Sequence, residues 1–444
     1  MIILSYAILV FMNSTNITLE TKRPSFLFII FLHILFFFYL YNISFIAFPL
    51  GTTYIVSIII FPIFLLSLLK KYHAKRFINL KIEPNFLNFY LMILYLICVS
   101  LLYSVFLPYI QKNLHVPISL ARIIFIIVPI AYIFSSVWFN QFKLTLEHLI
   151  SIFINCVIIQ SIFCWISKLF FPFYNLFISQ ILNFHINYDI LNPYTTQSVG
   201  FSSVLSTSYS IIHAFAIILC INKTFSHSKL SILYLIKALF IAITLIIIAR
   251  TGLMYLIAHI GIHFIYTILY KPNTGLKLLF FLIVLGICVA FLATIFFPHV
   301  FTSNEFLWAT SFFTNGLQEN STLDLLSNHL HLPTSLLSLL FGTGSYFSHS
   351  IQYFTTRSDS GLINLIWTFG LLHTIMFYFS YFSLILNTFR RFKSHPYITP
   401  FISFSFACLI LDIKAPLLFK MSILVLFFTF LISFFMDKKK LKPF

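Results

Sequence analysis

FGTGSYFSHSIQYFTTRSDSGLINLIWTFG, residues 341–370, changes character partway along. The first part is polar, glycine-bearing and charged, and from Gly361 the chain runs without a break into an apolar segment of membrane-spanning length. About 20 apolar residues cross a bilayer as a helix. Lipid admits only helices and closed barrels, because every backbone N–H and C=O must find a partner within the protein. The reading of this stretch therefore sets the fold class, and any chemistry belongs near its polar part.

Composition agrees. Of 444 residues, 60% are hydrophobic and 8% charged, with a mean hydropathy of +1.00, whereas a soluble domain carries about 25% charged residues. A soluble globular domain is excluded. The 59 phenylalanines read as lipid-facing and core bulk. The formal charge of +17 would point to nucleic acid in a soluble protein, but here loop lysines and arginines explain it and no nucleic-acid partner is expected. The six cysteines, Cys98, Cys156, Cys164, Cys220, Cys288 and Cys408, all fall in apolar segments without CxxC spacing, so neither a disulfide framework nor a thiolate metal site is implied. The N-terminal MIILSYAILVF lacks the positive n-region and cleavage site of a signal peptide and reads as an interfacial segment.

Outward from residues 341–370, about 12 segments meet the length requirement for a span. The expected fold is all-α: a polytopic transmembrane helical bundle forming one membrane domain over 1–444. With the N-terminus inside, one set of loops holds 19 of the 27 basic residues, among them Lys22, Lys70, Lys71, Lys223, Lys271, Arg390, Arg391 and Lys438. The other face keeps Lys112, Arg122, Lys168, Arg250, Arg357, Lys414 and Lys420, while Lys237 falls within a span and is expected to snorkel toward the lysine-rich side. This bias predicts both termini in the cytoplasm. Two long loops then face the other side, 171–202 and 298–360. Within the second, LPTSLLSLLFGTG reads as a short helix with Pro333 near its start and Gly342 after its end.

Basic residues on the poorly charged face run against the bias and need a reason. Arg250, in IIIARTGLMYLIAH, has two readings: snorkelling to the interface, or binding an anion in an outward cavity, since a guanidinium matches phosphate oxygens bidentately. Arg357, in TTRSDSG, either pairs locally with Asp359 or meets the same anion, and Asp359 or Ser360 is placed to cap a helix beginning near Leu362. Arg122 lies near the same face, and Lys414 stands beside Asp412, an expected ion pair. His185, His299, His329, His331 and His349 are loop histidines able to act as bases near neutral pH. His259 and His263, at i and i+4, read as a buried polar pair or as metal ligands; with no acidic neighbour, no metal is expected.

Taken together, the ART-Gly turn at Arg250–Gly252, LFGTG at Leu340–Gly344, RSDSGLINLIWTFGLL at Arg357–Leu372 and the terminal LDIKAPLLFKMS resemble bacterial O-antigen or capsule repeat-unit polymerases of the Wzy type. The resemblance implies an inner-membrane glycosyltransferase acting at the periplasmic face, with 171–202 and 298–360 as periplasmic loops. It would join undecaprenyl-diphosphate-linked oligosaccharides in polysaccharide biosynthesis without a cofactor, among membrane lipid, with a chain-length regulator protein as a partner. It implies catalytic roles for Arg250, Arg357, Asp359 and His349, and substrate contacts for Arg122, Gly342, Gly344, Gly361 and Lys414. One patch departs from the pattern: TTQSVGFSS carries Gln197 and no basic residue. An O-antigen ligase shares the layout and the arginine logic. A lipid-linked oligosaccharide flippase is the transporter alternative.

Overall fold

The computed structural model describes residues 26–43, 45, 51–56, 84–106, 115–136, 144–170, 207–226, 231–248, 250–270, single positions between 280 and 291, 332–333, 335–344, 360–413 and 417–437. These residues are helical, with no β-sheet among them. In chain order they form α1 (Phe26–Tyr41), α2 (Pro84–Phe106), α3 (His115–Arg122), a π-helical turn (Ile123–Ile127), α4 (Val128–Ser136) and α5 (Leu146–Leu169). Then follow α6 (Thr207–Ser226), α7 (Ile232–Ile248), α8 (Arg250–Tyr270), α9 (Leu336–Phe341), α10 (Gly361–Phe392), α11 (Ile398–Leu411), a 3₁₀ turn (Leu417–Phe419) and α12 (Met421–Asp437). Segments within α2, α5 and α10 are long and apolar enough to cross a membrane, and six shorter apolar helices accompany them.

α12 is the axis of the bundle. It packs against α1, α4, α5, α6 and the π-helical turn, and from Ser422 to Phe434 every residue is buried. A helix apolar on all sides belongs in a core. Aromatic side chains fill the space around it: Phe427 stacks on Phe401 at 5.5 Å and Phe430 meets Phe215 edge-on at 5.5 Å. Small polar residues tie α12 to α4, with Ser433 Oγ 3.0 Å from Ser135 Oγ. Such interhelical bonds take over where lipid supplies no hydrophobic drive.

Helix starts follow local chemistry. Thr145 and His148 form a capping box at the start of α5, and Ser360 Oγ accepts from the Ile363 N–H at 3.3 Å to cap α10. The short helix read around residues 333–342 is α9, capped by Ser335 Oγ accepting from Ser338 N at 3.1 Å and ended by Gly342 at φ +83°.

α10 holds the main departure from a plain bundle. Its 32 residues would make a straight rod of about 48 Å, against a hydrocarbon core of about 30 Å. Gly370, at φ 83° and ψ 166°, breaks it. The 371–392 part alone is about 33 Å long and suffices to cross. The break frees the carbonyls of Trp367 and Thr368, and the segment after α9 satisfies them: Thr343 N donates to Trp367 O at 2.7 Å and Gly344 N to Thr368 O at 3.0 Å. Thr343 Oγ1 adds a second bond to Trp367 O at 2.9 Å. LFGTG thus covers the carbonyls that the break exposes.

Candidate functional site

Two ends of the bundle can be told apart from contacts between helices. Asn222, near the C-terminal end of α6, donates to Pro396 O at 3.1 Å, just before α11. At the other end of α6, Ser210 packs against Gly252 in the first turn of α8, where an added Cβ would lie 2.5 Å from Ser210 Cβ. α11 runs away from Pro396, so its C-terminal Asp412 shares an end with the Arg250 backbone. Tyr209 donates to Tyr41 O at 2.7 Å, which brings in the end of α1, and Thr53 donates to Tyr39 O at 3.0 Å. Arg122 lies over the Tyr54 ring, 5.2 Å from its centroid. Arg122, the start of α8 at Arg250, and Gly361 therefore collect at one end. Lys223, Arg390, Arg391 and Lys393 gather at the other.

Asp412 organises the first end. It is fully buried in the turn after α11. Its Oδ2 accepts from the Tyr378 hydroxyl at 2.5 Å and its Oδ1 from Leu418 N at 3.0 Å. Its backbone carbonyl accepts from Gly361 N at 2.8 Å and Leu362 N at 3.2 Å, which are orphan donors at the start of α10. Burial raises the carboxyl pKa to about 6, and the bonds from Tyr378, Leu418 and Leu417 work in the opposite direction. A straight helix would place Gly361 and Tyr378 about 25 Å apart along its axis. Both touch Asp412, so the chain turns sharply at Gly370 and brings Gly361 back toward Tyr378.

The candidate glycines are places of close approach. A Cβ on Gly361 would lie 2.7 Å from the Asp412 carboxyl atoms, one on Gly342 2.5 Å from Thr368 O, and one on Gly344 2.8 Å from Tyr103 Cβ. Tyr103 also donates its hydroxyl to Phe341 O. Together these contacts shape the corner formed by α2, α9, α10 and the turn at Asp412.

Arg357, Asp359, His349 and Lys414 lie outside the described residues, as do 171–202 and most of 298–360. Arg250 is described by its backbone as the first residue of α8. Of the expected Asp412–Lys414 pair, the described half bonds to Tyr378 and Leu418. His259 is fully buried, with Nδ1 3.3 Å from the Tyr255 hydroxyl, and the described residues hold no cluster able to bind a metal.

Sequence reasoning passed over several polar groups. His373, three residues after the break, donates Nδ1–H to Phe369 O at 2.5 Å, so its Nε2 accepts from the Tyr95 hydroxyl at 3.0 Å. This pair pins α2 to the broken part of α10. At the Arg250 end, the Tyr41 hydroxyl and His213 Nε2 are buried with no hydrogen-bond partner among the described residues, their rings 6.5 Å apart. The π-helical turn starts directly after Arg122, and the Tyr39 hydroxyl donates to Ile127 O at 3.1 Å. No motif announces any of these, since each partner comes from a distant helix.

No protein-family model matches the chain, and no curated protein matches it significantly.

Proposed function

We propose that the chain is a membrane glycosyltransferase that polymerises undecaprenyl-diphosphate-linked oligosaccharide repeat units, as in O-antigen or capsule biosynthesis, at the periplasmic face of a bacterial inner membrane. The observation that carries this reading is the gathering of Arg122, the Arg250 position and the Gly361–Asp412 corner at one end of the bundle, opposite the lysine-rich end. Arginines kept on the less basic face of a membrane protein need an anionic partner, and a lipid-borne diphosphate is such a partner.

In the reaction, a hydroxyl of the acceptor sugar attacks the anomeric carbon of the donor chain. A new glycosidic C–O bond forms as the bond to the diphosphate breaks, and undecaprenyl diphosphate departs with the bonding electron pair. The hydroxyl proton passes to a base, for which Asp359 and His349 are the candidates. Guanidinium groups of Arg250 and Arg357 stabilise charge as it grows on the leaving diphosphate, more in the transition state than before it. The Asp412 corner supports the site from behind, because it fixes Ser360 and Gly361, the residues that follow Arg357 and Asp359 in sequence.

Deleting the gene and resolving surface polysaccharide on a gel tests the assignment. A single repeat unit on the lipid core is expected. An unchanged ladder contradicts the proposal, and complete loss of the first unit assigns the ligation or flipping step instead. At normal protein levels, Arg250→Ala or Arg357→Ala is expected to slow polymerisation by about 100-fold or more, the range seen when one transition-state donor is removed. A full-length ladder from both variants would remove the arginines from the mechanism.

A further inference from the structure

At the lysine-rich end, α5 carries α1 on one side and α7 on the other, and polar side chains line the surface between them. Lys223, from the end of α6, is buried and donates to Glu147 O at 3.1 Å, Ser151 Oγ at 2.6 Å and the Tyr234 hydroxyl at 3.1 Å. Its three N–H groups are spent on uncharged oxygens. Lys237 differs. It is half-buried, about 8 Å along α7 from its first residue, and its one hydrogen-bond partner among the described residues is Asn155 Oδ1 at 2.8 Å.

The neighbours hold that ammonium in place. Asn155 Nδ2 lies 3.2 Å from His33 Nε2, while His33 Nδ1 donates to Ile29 O at 2.8 Å. A ring that donates through Nδ1 presents Nε2 as an acceptor, so the Asn155 amide is oriented with its oxygen toward Lys237. Lys237 is thus held by Asn155, and among the described residues no acceptor takes its other two N–H groups. Both ammonium groups sit against one Tyr234 ring, at 4.9 and 5.5 Å from its centroid. Glu147, exposed in the first turn of α5, is the one acidic residue in α1, α5, α6 and α7. Among the described residues, two lysine ammonium groups here face a single acidic side chain, whose carboxyl also interacts with the Tyr397 hydroxyl. Around it the surface is apolar and exposed: Ile34 at 51%, Leu233 at 59% and Ile236 at 58%.

We propose that this surface binds the phosphate of an anionic phospholipid, with Lys237 as its direct ligand and Lys223 as the fixed charge behind it. The charge is complementary. The exposed isoleucine and leucine side chains give the acyl chains an apolar wall, which a free phosphate would not use. An ionisable residue within a membrane helix marks a binding site or pathway by default, and a phosphate is the anion a bilayer supplies at this depth. The site is independent of the glycosyltransferase reading, since it lies at the opposite end of the bundle.

Native mass spectrometry of the full-length protein in detergent, titrated with phosphatidylglycerol or phosphatidylcholine, tests this. The wild type is expected to retain one phosphatidylglycerol in preference to phosphatidylcholine by about fivefold. Lys237→Gln is expected to abolish that preference and Lys237→Arg to keep it. Thermal unfolding of Lys237→Gln in phosphatidylcholine should match the wild type, which separates lost binding from lost folding. Equal retention of the two lipids, an unaltered preference in Lys237→Gln, an unfolding loss in that variant that accounts for the change, or protection by inorganic phosphate equal to that by phosphatidylglycerol would each overturn the proposal.

Discussion

Gly370→Ala is expected to lower stability by about 4 to 6 kcal/mol and, on the proposed polymerase reading, to abolish polymer formation. Gly370 sits at φ 83° and ψ 166°, an extended positive-φ region that is essentially reserved for glycine, where alanine costs roughly 1–3 kcal/mol. Its Cβ would also collide with the Leu340 carbonyl and lie 2.5 Å from Gly342 N. These are backbone atoms, so no rotamer change relieves the contact. Relief comes from lifting α9 and residues 342–344 away, which breaks the bonds from Thr343 and Gly344 to Trp367 and Thr368 at about 1 kcal/mol each. A thermal unfolding series in detergent reads the effect. Gly261→Ala is the control, because no atom of the described residues lies within 4 Å of its added Cβ and alanine favours the helix. Equal midpoints for the two variants would mean that the break is not held as described.

The second large effect is expected at Asp412. Alanine there leaves the Tyr378 hydroxyl and Leu418 N–H buried without their acceptor, a loss of about 3 kcal/mol from two unsatisfied donors. Asp412→Asn should cost less, since its oxygen still accepts from Leu418 and its amide can donate to Tyr378. Gly361→Ala pushes a methyl against the carboxyl at 2.7 Å, so this variant and Asp412→Ala should couple. In the double variant the crowding is gone, and the combined loss is expected to fall below the sum of the single losses by about 1 kcal/mol or more. Simple additivity in the thermal unfolding cycle would separate Gly361 from the Asp412 corner.

Local signals in the sequence reach a long way into this fold and then stop. Apolar runs announce helices, Ser360 announces the start of α10, and LPTSLLSLLFGTG announces α9 with its glycine end. The break at Gly370 gives no such sign, because IWTFGLL is apolar on both sides and a lone glycine is tolerated in a helix. It becomes visible only when Gly342 and Thr343 arrive from another part of the chain. Asp412 illustrates the same limit. Its sequence neighbour Lys414, which lies outside the described residues, is the one partner the sequence suggests, and the bonds of Asp412 to Tyr378 of α10 and the backbone at Gly361 have no local sign. Lys237 reads as a snorkelling residue, and its link to Asn155, and through it to His33, shows only once those helices are brought beside it. Pairings between helices are set by packing, and a single sequence carries no local record of them.

The arginine positions were legible for a different reason. Arg122 and Arg250 stand out because basic residues are scarce on one side of the charge pattern, and that contrast needs no contact to be seen. The structure adds that both positions and the Gly361 corner occupy one end. It also adds what the charge pattern could not supply, a broken helix locked by LFGTG and a buried carboxyl fixing the residues next to Arg357 and Asp359.

The central claim is a chemical one: repeat units joined at the expense of a lipid diphosphate bond. Its most direct test is to incorporate the purified protein into liposomes containing an undecaprenyl-diphosphate-linked repeat unit, with no nucleotide added, and to follow the glycan by mass spectrometry. The account predicts products at successive whole-number multiples of the repeat mass, with release of undecaprenyl diphosphate matching the number of linkages and no products from Arg250→Ala. A repeat unit that stays monomeric, in liposomes where the protein is shown to be folded, would contradict it.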